Sequence, residues 1–108
     1  MPQIVIQVLT THTESLRDKI TQDGKLNNFK LKVTQHKKID RSPGWAKLHN
    51  TEGDCGAINV RWEGSSRMLI CRVITKAQNN PSVIIANFVH YLLSRYKNKI
   101  EAINIIPR

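Results

Sequence analysis

The stretch NNPSVIIANFVHYLLSRYKN, residues 79–98, constrains the fold more than any other. Asn80 stands where a helix cap belongs, Pro81 at the first helical position, and Lys97 and Lys99 near the carbonyl end. Apolar side chains cover most of the helix, and Asn87, His90, Ser94 and Lys97 form one narrow polar stripe at helical spacing. Such a helix needs an apolar layer beneath it. The runs on either side, RMLICRVITK (67–76) and IEAINIIP (100–107), read as strands and supply one. If those two strands are parallel, the connection is a right-handed crossover.

The remaining segments extend the same sheet. QIVIQVLT (3–10) is rich in β-branched residues and reads as a strand buried on both faces. Thr11 and Glu14 have the spacing of a capping box, so a short helix is expected there. Leu16 and Ile20 form its thin apolar stripe, and Asp23-Gly24 ends it. In NFKLKVTQHK, Phe29, Leu31 and Val33 alternate with Lys30, Lys32, Thr34 and His36, continuing to Lys38, which predicts a half-exposed strand. RSPGW reads as a turn centred on Pro43-Gly44, and Trp45–Asn50 as the next strand. AINVRWE follows, with Ile58, Val60 and Trp62 on one face, and Gly64-Ser65-Ser66 joins it to the apolar run at 67–76. That run is apolar on both faces and belongs in the middle of the sheet. The order β-α-β-β-β-β-α-β predicts a single α+β domain over residues 1–108, with helices on a mixed or mostly antiparallel sheet.

Charge is the unusual part of the composition. Seventeen Lys and Arg against eight Asp and Glu leave a net +9. Residues 25–49 hold seven of those cations and one acid, so +6 of the +9 sits in under a quarter of the chain. Such a concentration attracts polyanions, with nucleic acid first and an acidic protein next. Alternate residues on one strand face repeat about every 6.6 Å, close to the phosphate spacing of an extended single strand. Lys30, Lys32, Lys37, Lys38, Arg41 and Lys47 are therefore expected to neutralise phosphates, with His36 and Trp45 contacting bases. The alternative is that these lysines keep an exposed strand soluble and unpaired, and that Trp45 is a packing residue.

Other chemistry finds little support. His36, His49, Cys55 and Cys71 lack the close pairing typical of zinc sites, so neither metal nor cofactor is expected. There is no nucleophile elbow, Gly-rich phosphate loop or HExxH motif. Glu52, Asp54 and Glu63 are the one acidic cluster, and they flank a hairpin. GAINVRWEGSSRMLICRVI there resembles the central hairpin of the restriction-endonuclease-like nucleases, whose core runs α-β-β-β-α-β. That resemblance implies a degenerate domain without a metal site. Asn59, Arg72 and Ile74 stand where an Asp, a Glu and a Lys would fall.

The reading that results is a small, non-enzymatic, nucleic-acid-binding protein. The apolar runs are too short to span a membrane, the N-terminus lacks a basic n-region, and two sparse cysteines suit the cytoplasm. The second reading is an interaction or regulatory module that docks an acidic partner, or a homodimer formed edge to edge.

Overall fold

Period-two alternation and one long apolar helix assemble into two layers. The computed structural model describes residues 4–39, 42–51, 56–75 and 81–107, and the side chains of 35–39 and 42–45 lie outside that description. The strands are β1 (Ile4–Thr10), β2 (Leu31–Ile39), β3 (Ser42–Asn50), β4 (Ala57–Glu63), β5 (Met68–Ile74) and β6 (Ile100–Pro107). The helices are α1 (Leu16–Thr21), between β1 and β2, and α2 (Ser82–Tyr96), between β5 and β6. The expected element order is the observed one, and the molecule is a single α+β domain.

The six strands form one sheet in the order β2-β3-β4-β5-β1-β6, and each neighbouring pair is antiparallel. β5 lies inside the sheet, as its apolar character requires. It runs parallel to β6, but β1 separates them, so α2 crosses over an intervening strand. Ile6 and Val8 of β1, Leu48 of β3, Ile58 and Val60 of β4, and Leu69 of β5 turn to one face, where they enclose Ile20 of α1 and Phe88 and Tyr91 of α2. Both helices therefore cover the same face. Burying each large apolar side chain contributes about 1.5–3 kcal/mol, which is what holds the layers together.

Several local expectations change. Ser15 caps α1, accepting from the Asp18 N–H at 3.2 Å, four residues beyond the expected Thr11 cap. Pro81 is the N-cap of α2, and Asn80 lies outside the described residues. β1 is buried on its helix side alone: Val5, Gln7 and Leu9 on the other side are half-buried. Phe29 ends a short 3-10 turn, Leu26–Phe29, and packs edge-on to Tyr91 at 5.4 Å. Lys30 follows it in the left-handed conformation at φ 63°, so β2 starts one residue later. Pro43 and Gly44 lie within β3; the hairpin closes at Ile39 and Ser42, which pair. Arg67 joins the turn before β5 with φ 53°.

One contact pins the two helices together, and one glycine admits the chain to β4. The Asp23 carboxylate, 5% exposed, accepts from the Tyr91 hydroxyl at 2.9 Å and Arg95 Nε at 3.0 Å, tying the end of α1 to α2. Gly56 enters β4 at φ 104°, where a Cβ would sit 2.4 Å from the Ile74 carbonyl oxygen. Gly56→Ala is expected to destabilise the fold by about 2–4 kcal/mol through backbone strain and steric overlap, read as a lower urea midpoint.

Candidate functional site

With both helices on one face, no helix among the described residues covers the other face of the sheet, and alternation decides what it presents. In β4, Ile58, Val60 and Trp62 are buried against the helices, so Asn59, Arg61 and Glu63 take the open side. Register carries that side across the sheet. Lys47 of β3 pairs with Asn59, and Asn59 pairs with Arg72 of β5. Arg61 pairs with Ile70 in the adjoining row. Neighbouring strands are about 4.8 Å apart, so Lys47 and Arg72 flank Asn59 with their Cα atoms about 10 Å from each other.

These residues line a cleft of about 320 Å³ formed by Lys47, Asn59, Val60, Arg61, Ile70 and Arg72. Three cations from three adjacent strands thus converge on one depression. Arg61 Nη2 is paired with Glu63 Oε1 at 3.0 Å. Among the described residues, Lys47 and Arg72 have no carboxylate partner, and the cleft keeps a net positive charge. Ile70 supplies an apolar patch beside them. Asn59 Oδ1 is enclosed and has no hydrogen-bond partner. An unsatisfied enclosed acceptor costs about 1–3 kcal/mol, and such atoms are uncommon in folded proteins. Asn59→Val, which suits a central strand and removes that acceptor, is expected to stabilise the fold by about 1 kcal/mol. The same substitution is expected to weaken any ligand that donates to the cleft, so thermal melts and binding should move in opposite directions.

Of the residues expected from sequence to bind, Lys47 lines the cleft. Lys32 is exposed on edge strand β2, in register with His49. Lys30 is exposed but lies outside the strand, its carbonyl accepting from the Thr51 N–H at 2.9 Å. The backbone of β2 does not keep one phase along the expected lysine row. The register shifts between Val33 and Gln35, leaving Thr34 as an inserted residue whose hydroxyl bonds the Lys47 carbonyl at 3.3 Å and His49 Nδ1 at 2.6 Å. Beyond that bulge the backbone of His36 pairs with buried Ala46, out of phase with Lys32, and Lys37 pairs with Trp45. A second shift falls opposite Lys38, where Pro43 and Gly44 of β3 face that one residue. Trp45 also pairs with Arg61, next to the cleft. The side chains of His36, Lys37, Lys38 and Trp45, and the whole of Arg41, lie outside the described residues. Arg61, Arg72 and Asn59 were not among the expected binding residues, although the alternation of AINVRWE already set Asn59 and Arg61 apart from the apolar face.

Of the four residues considered from sequence as metal ligands, Cys55 and the side chain of His36 lie outside the described residues, and the other two lie apart. Cys71 is buried on the helix side, whereas His49 belongs to the open-face row through Ala57 and Ile74, so the sheet itself separates them. Burial pushes the Cys71 thiol far above its ordinary pKa, which keeps it protonated and a poor ligand. Among the described residues no group of three His, Cys, Asp or Glu gathers. The nuclease-like hairpin is present as β4–β5, but four strands separate the helices where that core has three, and Asn59 and Arg72 form part of a cationic cleft. Glu63 is engaged by Arg61, and Glu52 and Asp54 lie outside the described residues. No helix among the described residues is long and apolar enough to cross a membrane. No protein family, curated protein or solved structure matches the chain.

Proposed function

We propose that this protein is a non-enzymatic, cytoplasmic nucleic-acid-binding protein that holds a single strand across the uncovered face of its sheet. The observation that carries this reading is the convergence of Lys47, Arg61 and Arg72 from three adjacent strands on one cleft beside Asn59. Guanidinium groups suit phosphate oxygens because their donors form a planar fork. Ile70 offers a surface for the face of a base or sugar, and Trp45, whose backbone pairs with Arg61, is assigned to stacking. Lys32 extends the positive field toward β2. The free, buried thiol of Cys71 accords with a reducing compartment.

Binding of this kind is driven by counterion release. Anisotropy of a labelled single-stranded oligonucleotide, titrated at increasing salt, tests it directly. Three phosphate contacts predict a slope of log affinity against log salt of about −2, at roughly 0.7 per contact. No binding at about 50 mM salt, or a flat response, refutes the reading.

A further inference from the structure

The two edges of the sheet are built differently, and the difference identifies a second surface. The β2 edge is interrupted twice, between Val33 and Gln35 and between Lys37 and Ile39, and its segment carries Lys32, Lys37 and Lys38. Bulges and lysines are the devices that keep an edge from pairing. The β6 edge carries no lysine among its described residues, and its one irregularity falls at its start, between Leu9 and Thr10, where Glu101 is the extra residue. Its register against β1 is unbroken from Ile4↔Pro107 to Leu9↔Ala102, and Glu101 is the one charged residue in Ile100–Pro107. Ile105, which shares the helix-side row of Ile6, is 47% exposed, and Ile103 and Ile106 are half-buried. A long, regular, apolar edge is a template for another strand.

We propose that β6 is a homodimer interface, in which two copies pair β6 to β6 antiparallel about a two-fold axis through Asn104. A second copy is the occupant because the strand is complementary to itself in one register. With Asn104 opposite the partner's Asn104, Ile103 meets the partner's Ile105 and Ile105 meets the partner's Ile103. Both pairs fall on the helix side, extending that apolar layer across the axis. On the open side Ala102 meets the partner's Ile106, and the two Asn104 amides can bond each other. Centring the axis on Ile103 would set Ile105 against the partner's Glu101. Centring it on Ile105 would set Asn104 against the partner's Ile106. Charge points the same way: two chains of net +9 repel one another over most of their surfaces, and β6 is the edge without cations among its described residues.

An antiparallel pair has its two-fold axis normal to the sheet, so the dimer is a twelve-stranded sheet with four helices on one side and both clefts on the other. The β4 strands of the two copies then lie about 34 Å apart, seven strand spacings. This inference stands independently of nucleic-acid binding.

Sedimentation equilibrium tests it. The wild-type chain is expected at twice its 12.4 kDa mass. Ile105→Lys is expected to return it to monomer, whereas Leu93→Lys, at a 46% exposed site on α2, leaves the dimer intact. Asn104→Cys, at an exposed site, is expected to give a disulfide-linked dimer on mild oxidation that the wild type does not form, because directly opposed strand residues approach within about 4.5–5.5 Å. A wild-type monomer at every concentration, a dimer that survives Ile105→Lys, or a folded Asn104→Cys chain that fails to cross-link each overturns the proposal.

Discussion

Replacing Lys47 and Arg72 together with glutamate is expected to weaken oligonucleotide binding by at least about 100-fold while leaving the fold intact. A charge-assisted hydrogen bond is worth roughly 1.5–3 kcal/mol, and each 1.4 kcal/mol is tenfold in affinity. Losing two such contacts accounts for the expected factor, and placing two carboxylates beside a phosphate adds repulsion. Both positions belong to the open face, Arg72 is exposed, and neither side chain packs into the helix-side core. The denaturation midpoint should therefore stay close to that of the wild type. The salt slope should flatten by about 1.4, two contacts at roughly 0.7 each. Reversing charge at Arg95 of α2 and Lys97 just beyond it would make a poor control, because Arg95 holds Asp23; Lys97 with Arg67 is the appropriate pair. Should the Lys47/Arg72 double variant bind as the wild type does, the cleft is not the binding site.

The second large effect concerns stability. Asp23→Ala is expected to cost about 3 kcal/mol, at the lower end for breaking a buried charge pair because Arg95 is itself partly exposed. The Asp23 carboxylate gathers the Tyr91 hydroxyl, the Arg95 guanidinium and the Lys25 N–H, the last at 2.9 Å. Tyr91 is fully buried, so its truncated partner leaves a hydroxyl inside the core with a single long contact, 3.4 Å, to Tyr96. The melting temperature should fall by roughly 12–20 °C for a chain of this size. Burial alone would raise the pKa of Asp23, but the Lys25 N–H, Arg95 and Tyr91 outweigh it and hold the value below the ordinary 3.8. A carboxylate whose pKa is depressed by folding stabilises fully above the unfolded value, and that stabilisation is lost as pH falls through the folded one. The gap between wild type and Asp23→Ala should therefore be constant near neutrality and narrow below about pH 4. A gap that widened in acid would contradict this role.

The same two features illustrate which information is local. That residues 82–96 form a helix, and that 57–63 and 68–74 form strands, follows from periodicity and intervening turn residues, and the structure keeps all three. The latch at Asp23 was legible only as a helix end. Its partners lie 68 and 72 residues away, and no local rule connects them. The backbone interrupts the phase of the expected lysine row for a definable reason. Alternation extrapolated from Leu31 and Val33 assumes an uninterrupted ladder, and Thr34 inserts one residue, which reverses the phase of everything after it. A bulge of this kind has no distinctive residue type, since Thr34 is also an ordinary strand residue.

What the amino-acid order determined by itself is the set of elements, their sequence and the excess of cations, because these depend on neighbours within a few residues and on simple addition. The tertiary structure alone decided which cations act together. Arg61 and Arg72 became a site through three events: β3, β4 and β5 paired side by side, their registers aligned Lys47, Asn59 and Arg72, and both helices settled on the opposite face. Each event is a long-range packing choice, settled by burying the larger apolar area of Ile58, Val60 and Leu69 against Phe88 and Ile20. The polar side was left open by that choice, and the cleft is its consequence.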